Sequence, residues 1–385
     1  MRTLTLAIAI SLGVLIYGGL NFYVIHKGWR ALEGLSRGWR WFYLLAMAAW
    51  AASFLAGRLL ERAGAPAGLL IWAGSFWLAV LLYGLLTAAL YDLSLLAASL
   101  PRWGTVQSLL AGQAWRTWSF LAAAGLILII TGAGYLNACR VRVKELTISV
   151  PHPEMALDSL NITLVSDIHL GTIIGNGRLG RLVELINATE PDLVLLAGDI
   201  VDEDIAPVIR QDMGRKLTAI RSRLGVWGIT GNHEYIGGVG EALKYLEAHG
   251  IKMLVDQKAE AAPGVWIAGR KDRSAPRFGD SSRKPLPELL EGLPGRGVSI
   301  LLDHQPFELE EAAASGIDLQ LSGHTHHGQL WPLSLITNRL YEKSWGYLRR
   351  GDTHYYVSSG AGTWGPPVRI GNHPEVVKIK MKFKD

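Results

Sequence analysis

The chain has a single cysteine, Cys139, among its 385 residues. One thiol cannot form a disulfide within the chain, and it cannot supply the several thiolates of an iron–sulfur or cysteine-rich zinc site. The sequence also has no stripe of clustered basic residues interleaved with aromatic ones, although its formal net charge is +5. A nucleic-acid partner is therefore not expected.

Long apolar runs, by contrast, are abundant, and they crowd into residues 1–139. A bilayer core takes ~20 apolar residues as a helix. Four runs predict a transmembrane region of four helices, at residues 4–25, about 41–56, 68 to beyond 91, and about 118–138. The first run is too long for a signal peptide and lacks a small-residue cleavage site, so we expect a retained span.

This pattern predicts a multi-pass integral membrane protein, and a bacterial inner or plasma membrane is its expected location. Equal numbers of Lys and Arg would flank the spans on the two sides, so the positive-inside rule leaves open on which side of the membrane the C-terminal domain lies. Asp92 lies at the end of the third run. We expect it at the membrane interface, near the point where the span ends, rather than as a buried functional carboxylate.

Residues 140–385 read as one globular domain. Short apolar runs alternate there with amphipathic segments at residues 177–189, 213–224 and 239–250, which predicts an α/β fold with a largely parallel core. Five of the predicted strands are followed at once by side chains that can bind metal. They stand in the segments SDIH, AGDI, GNHE, LDHQ and SGHTH, which contain Asp167, Asp199, Asn232, His304 and His324 in that order.

The carboxyl ends of the strands in an α/β sheet converge on one ligand site. Imidazole, carboxylate and amide donors without thiolates suit Mn, Fe, Zn or Mg. The donors are too many for one ion, and they fit two ions ~4 Å apart that share a bridging carboxylate.

This ordered set of motifs, between residues 160 and 329, resembles that of the calcineurin-like metallophosphoesterases. The phrases PDLVLLAGDIVD and YVSSGAGTWGPPVRIG are similar to one branch, which contains membrane-attached bacterial phosphoesterases and transmembrane proteins with a metallophosphoesterase domain. The resemblance implies a four-layer αββα sandwich with mixed sheets. It also implies that the late strands at residues 354–359 and 375–383 belong to the second sheet.

The resemblance implies roles for individual residues as well. One ion would be held by Asp167, His169, Asp199 and His326, and the other by Asp199, Asn232, His304 and His324. His233 would bind no metal and would stabilise the transition state or protonate the leaving oxygen. Manganese is the first expectation for both ions, with Fe, Zn or Mg as alternatives.

The sequence leaves the roles of four further residues undecided. Arg270 and Arg273 lie in a basic segment that either contacts substrate phosphate or forms a solvated loop. Glu234 either orients His233 or lies at the surface. His327 stands where members of the branch usually have glycine, and it is left out of the ligand set.

We therefore expect a membrane-anchored dinuclear phosphohydrolase, in which a metal-bound hydroxide attacks a phosphoester or pyrophosphate. The membrane region favours an amphiphilic, lipid-linked substrate, and pyrophosphate hydrolysis of the UDP-2,3-diacylglucosamine type in lipid A synthesis is a specific case. The alternatives are a phosphodiesterase acting on soluble nucleotides or nucleic acid, and a non-catalytic membrane sensor with the same fold. No obligate protein partner is evident.

Overall fold

The computed structural model describes residues 2–100, 103–152, 154–294 and 296–383, and residues 2–10 by their backbone alone. The chain forms two compact units, with the boundary between Gly134 and Tyr135. We call them the membrane unit and the catalytic unit. The predicted division between residues 139 and 140 lies close to this boundary.

The membrane unit is helical. Its helices are α1 (Arg2–Ala31), α2 (Arg37–Arg62), α3 (Gly68–Ala98), α4 (Gly104–Ala111) and α5 (Gln113–Ala138), the last of which extends into the catalytic unit. Among the described residues, three helices are long and apolar enough to cross a membrane: α2, α3 and α5. The structure thus supports three spans, and not clearly the predicted four.

The helix of the third span does not end near Tyr91, whereas the expected place of Asp92 at the membrane interface stays a prediction. Helix α3 continues past Asp92 to Ala98. The Asp92 carboxylate accepts a 2.6 Å hydrogen bond from the hydroxyl of Tyr23 and forms an ion pair with Lys27. These two partners on α1 compensate the charge of Asp92.

The catalytic unit contains two six-stranded sheets. The first is formed by β1 (Arg142–Ser149), β2 (Ser159–Val165), β3 (Leu193–Ala197), β4 (Val226–Ile229), β5 (Ile251–Met253) and β12 (Glu375–Lys382), in the order β1-β12-β2-β3-β4-β5. The second is formed by β6 (Gln257–Ala262), β7 (Val265–Gly269), β8 (Val298–Leu302), β9 (Leu319–Ser322), β10 (Gly346–Arg350) and β11 (Thr353–Val357), in the order β10-β11-β9-β8-β7-β6.

Both sheets are mixed, as predicted. In the first, β2 to β5 are parallel and β12 is antiparallel to β2. In the second, β7, β8, β9 and β11 are parallel and the edge strands β6 and β10 are antiparallel to their neighbours. The two sheets share one core, in which Leu164 and Leu195 of the first pack with Ile300 and Leu321 of the second.

Helices connect the strands. They are α6 (Asn176–Ala188), α7 (Ala206–Arg210), α8 (Gly214–Leu217), α9 (Asn232–Gly237), α10 (Val239–Ala248), α11 (Leu286–Leu290), α12 (Leu309–Ala314) and α13 (Leu333–Leu340). Helices α11 and α12 form a second apolar cluster with the second sheet, through buried residues such as Leu289, Leu309 and Tyr355.

Two sequence predictions are wrong. Strand β12 belongs to the first sheet, because it pairs with β1 and β2, and only β11 belongs to the second. The helix predicted at residues 213–224 is reduced to α8. Beyond it, the side chain of Asn187 donates to the carbonyl of Ala219 and accepts from the amide of Arg221. These bonds offer the backbone an alternative to helix.

Candidate metal centre

The predicted ligands meet where the two sheets present the carboxyl ends of five strands. Strands β2, β3 and β4 lead into the site from the first sheet, and β8 and β9 lead into it from the second. Most of the ligands have a left-handed backbone, with φ between 46° and 71° at Asp167, His169, Asp199, His324 and His326. Such conformations cost of order 1–3 kcal/mol each and cluster at functional sites.

One group of donors comprises Asp167, His169 and His326, whose ligand atoms all lie within 4.8 Å of one another. The Nε2 atoms of His169 and His326 are 3.0 Å apart, and Nε2 of His326 lies 3.5 Å from Oδ1 of Asp167. Oδ2 of Asp199 lies 3.9 Å from Nε2 of His169. These four residues are those predicted for one ion.

The second group comprises Asp199, His304 and His324. Oδ2 of Asp199 lies 3.1 Å from Nε2 of His304, although the two atoms are not aligned for a hydrogen bond. Asn232 lies in the first turn of α9, and its Oδ1 is buried without a hydrogen-bond partner. Asp199 belongs to the second group, and its Oδ2 also reaches His169 of the first at 3.9 Å, so it lies between the two groups, where a bridging ligand is required.

The donors fit divalent ions by their chemistry and by their unmet bonding needs. Oδ2 of Asp167, Oδ1 of Asn232 and Nε2 of His304 are all buried without a hydrogen bond. A buried polar atom without a partner costs about 1–3 kcal/mol. Nδ1 of His304 lies 2.7 Å from the carbonyl of Ala197, a contact that fixes the ring and directs Nε2 into the site.

The surroundings of the site lower the pKa of two of its histidines. Burial lowers the pKa of His324 to about 4, and the charge of His304 acts in the same direction. Burial, with the charges of His169 and Arg369, also holds the pKa of His326 well below its usual value. Both rings are therefore neutral near pH 7, which is the form that binds a metal.

His233 is next to both groups, and its ligand atom lies within 4.8 Å of those of His169 and Asp199. Its ring centroid is 4.5 Å from that of His169, and its Nδ1 lies 3.2 Å from Oδ1 of Asp202. Burial lowers the pKa of His233, but the Asp202 carboxylate and the charge of Asp199 outweigh burial and raise this pKa to about 9. Sequence reasoning missed Asp202, and the run of acids directly after the GD motif was the available signal.

Comparison with known proteins agrees with this geometry. The family described as "Calcineurin-like phosphoesterase" matches residues 160–328. An "Uncharacterized metallophosphoesterase" of Aquifex aeolicus is 30% identical over 261 residues, which cover 67% of this chain and 98% of that protein. The chain belongs to the calcineurin-like phosphoesterase family.

Two other relatives are longer than the matched region. A "Transmembrane protein with metallophosphoesterase domain" of Danio rerio is 32% identical over 277 residues, covering 67% of this chain and 62% of that protein. An "Uncharacterized metallophosphoesterase" of Helicobacter pylori is 33% identical over 256 residues, which cover 65% of this chain and 66% of that protein. The chain thus spans less than two thirds of the length of these two phosphoesterases.

Glu234 organises the loops that carry the candidate metal ligands. It is buried, and its carboxylate accepts hydrogen bonds from the amides of Gly231 (2.7 Å), Val201 (2.9 Å) and Asp199 (3.2 Å). Burial raises its pKa, and the charge of Asp199 adds to the effect. Neither earlier reading of Glu234 is correct, because it is not at the surface and it holds the Asp199 loop rather than His233.

Arg369 is a second residue that sequence reasoning missed. It is fully buried, and its guanidinium donates to the carbonyls of Gly360 (3.1 Å) and Gly362 (2.7 Å) and to Oδ1 of Asn372 (3.1 Å). The same Nη2 lies 3.1 Å from Nδ1 of His326. Arg369 therefore holds the loop beside a metal ligand. Its only sequence signal was the phrase GPPVRIG.

The two arginines proposed to bind substrate do not lie in a solvated loop. Arg270 is buried and pairs with Asp303 (3.2 Å) and Glu311 (2.7 Å). Arg273 is a third exposed, lies over the ring of Phe307, and reaches Glu308 at 3.5 Å. A role for either residue in substrate binding stays a prediction, and the exposure of Arg273 suits it better than Arg270.

His327 is half-buried and lies outside the ligand groups. Its Nδ1 is 2.9 Å from the hydroxyl of Ser344, which itself donates to Oδ1 of Asn338 at 2.5 Å. Because a serine hydroxyl has one proton, Nδ1 of His327 is the donor in the first of these bonds. Through Ser344, His327 thus connects the loop that contains His326 to Asn338 of α13.

Proposed function

We propose that this chain is a membrane-anchored phosphohydrolase that holds two divalent ions and cleaves a phosphoester or pyrophosphate bond. The observation that carries the proposal is the pair of donor groups with Asp199 between them, its Oδ2 lying 3.9 Å from Nε2 of His169 and 3.1 Å from Nε2 of His304. Surplus neutral imidazoles and buried oxygens without hydrogen bonds have no role in packing, but they are what two ions require.

The first ion would be held by Asp167, His169, Asp199 and His326, and the second by Asp199, Asn232, His304 and His324. When bound, two such ions polarise a phosphoryl oxygen and activate water near neutral pH. We propose manganese first, since imidazole, carboxylate and amide oxygen together suit it, and the same donors also accept Fe, Zn or Mg.

His233 is the proposed catalytic residue. The Asp202 carboxylate, 3.2 Å from Nδ1, favours a proton on that nitrogen. Nε2 is then left to donate a proton to the leaving oxygen, which is typically worth ~10²–10⁴-fold in rate. Trp364 is exposed with its ring 6.2 Å from that of His233, where it can contact the leaving group.

An amphiphilic substrate is the finer part of the proposal. Three apolar helices and a relative named as a transmembrane protein support attachment to a membrane. Attachment raises the encounter rate with phosphates carried by lipids. We propose a bacterial inner or plasma membrane as the location. Pyrophosphate hydrolysis of the UDP-2,3-diacylglucosamine type in lipid A synthesis is a specific case that rests on family resemblance alone.

The test uses the full chain, purified with Mn²⁺, on three substrates: a soluble phosphomonoester, a soluble phosphodiester and a lipid pyrophosphate. The His233→Ala variant removes the proposed proton donor, and His152→Ala serves as the matched control because His152 pairs with Glu154 and Asp318 away from the site. We expect His233→Ala alone to lose activity.

Equal inactivity of wild type and His233→Ala on all three substrates contradicts the enzymatic proposal. If the wild type cleaves a soluble diester as well as the lipid pyrophosphate, the amphiphilic substrate is wrong while the phosphohydrolase stands.

A further inference from the structure

An apolar surface lies on α13, directly after the metal-binding loop. None of the residues of this helix is buried. Its outer face presents Leu335 (63% exposed), Ile336 (54%) and Leu340 (65%), and Trp331 (54%) precedes it. Apolar side chains at i, i+1 and i+5 of a helix lie on one face. We call this surface, with the exposed Trp345 that follows the helix, the α13 rim.

The α13 rim is attached to the metal centre at both ends. At its start, a Cβ on Gly328 would lie 2.3 Å from the amide nitrogen of Ser334, so the first turn packs directly on the loop that follows His326. At its end, the ring of Tyr341 lies 6.2 Å from that of the ligand His324. His327 ties the middle through Ser344 and Asn338.

Basic residues border the rim. Residues 331–350 contain four of them, of which Arg349 pairs with Asp352 and Arg350 with Glu310 and Glu342, so the positive charge at the rim comes from Arg339 and Lys343. Arg339 lies on the exposed surface of α13 itself, and Lys343 follows the helix. An exposed apolar face with tryptophan and basic residues at its border is typical of helices that lie in the boundary between lipid headgroups and acyl chains.

The catalytic unit is joined to a candidate membrane span by a short segment of chain. Helix α5, one of the three candidate spans, ends at Ala138, and β1 begins at Arg142. A tether of a few residues keeps the catalytic unit at a high effective concentration near the membrane. A partner that has to diffuse to the rim lacks this advantage.

We propose that the α13 rim inserts into the interface of a bilayer that contains anionic lipids, and so holds the metal centre next to phosphates at the membrane surface. The insertion does not depend on the proposed function. Its consequence, delivery of a lipid-borne substrate, does rest on that function.

The experiment measures contact with lipid directly. In the full chain with Cys139→Ser, the variants Ile336→Cys and Leu340→Cys are labelled with an environment-sensitive fluorophore. They are reconstituted in nanodiscs of phosphatidylcholine, with or without phosphatidylglycerol, that carry nitroxide lipids. Glu247→Cys is the matched control on the exposed face of α10, and Ile129→Cys on α5 reports successful insertion of the spans.

We expect nitroxide lipids to quench the labels at 336 and 340 at least threefold more than the label at 247, with further quenching when phosphatidylglycerol is present. Quenching equal to that at 247, while the label at 129 is quenched, overturns the inference. The inference is also overturned if the label at 336 reports an apolar environment but is not quenched by lipid nitroxide. In that case a second copy or another part of the chain covers the rim.

A second measurement separates this inference from the proposed function. In the double variant Leu335→Asp with Ile336→Asp, we expect hydrolysis of a vesicle-borne phosphate to fall at least tenfold while hydrolysis of a soluble ester is unchanged. An equal rate on vesicles contradicts the role in delivery. Lipid quenching in a wild-type chain that hydrolyses nothing supports the inference and contradicts the proposed function.

Discussion

Replacing Glu234 by Gln tests how the metal-binding loops are held. The carboxylate receives three backbone amides, two on Oε2 from Gly231 and Asp199 and one on Oε1 from Val201. The best orientation of a glutamine keeps the first two bonds and turns its own NH₂ towards the amide of Val201. A hydrogen bond to a charged group contributes about 1.5–3 kcal/mol, and a neutral acceptor contributes roughly half as much.

The loss of one bond and the weakening of two is partly offset, because the repulsion between Glu234 and the charge of Asp199 disappears. We therefore expect Glu234→Gln to lower the free energy of unfolding by about 2–4 kcal/mol. At about 2–4 °C per kcal/mol for a domain of this size, Tm falls by roughly 10 °C.

The assay is thermal unfolding of the full chain in detergent, with and without a chelator, and Glu247→Gln on the exposed face of α10 is the control. If Glu234→Gln unfolds within about 1 °C of this control in both conditions, the hydrogen bonds of Glu234 do not hold the loops and the reasoning is wrong.

Three further outcomes follow from the site. We expect His233→Asn to lower kcat by ~10²–10⁴-fold and to leave the metal content, measured by mass spectrometry, unchanged. A loss of metal in this variant would show that His233 is a metal ligand. Gly328→Ala combines a left-handed backbone with a clash against Ser334, so calorimetry should show a loss of about 2–5 kcal/mol. Gly351→Ala has the backbone strain without the clash, and an equal loss there contradicts the packing of α13 on the metal loop. Arg369→Lys leaves at least one buried oxygen without a donor and lowers Tm by an amount corresponding to about 1–3 kcal/mol, whereas an unchanged Tm contradicts its role in the loop.

The donors were predictable from sequence because their signal is local. Each donor directly follows an apolar strand, and parallel strands bring their carboxyl ends together. Asp167 and Asp199 follow neighbouring parallel strands of one sheet, so their strand-end positions indicated that they would meet, whereas His304 follows a strand of the other sheet and its place in the site was implied by the family resemblance. The identity of the metals, by contrast, is not predictable in this way, because the donor chemistry indicates only the class of Mn, Fe, Zn or Mg.

The supporting contacts had no comparable signal. Arg369 reaches His326 across 43 residues, and nothing in its own segment shows that a guanidinium is fully buried there. The alternating pattern of β12 shows that one of its faces is buried, but not which sheet it joins. Helix α13 was not predicted, because its apolar residues are exposed and the sequence pattern of a helix is recognised by a buried apolar face.

The metal content of the full chain tests the central claim most directly. We predict about two ions per chain for the wild type, about one after Asp167→Ala or His324→Ala, and fewer than one after Asp199→Ala, because Asp199 is the ligand proposed to bridge the two ions. Elemental analysis after dialysis against Mn²⁺ gives these values. A wild type with one ion, or an Asp199→Ala variant that retains both, contradicts the dinuclear centre bridged by Asp199.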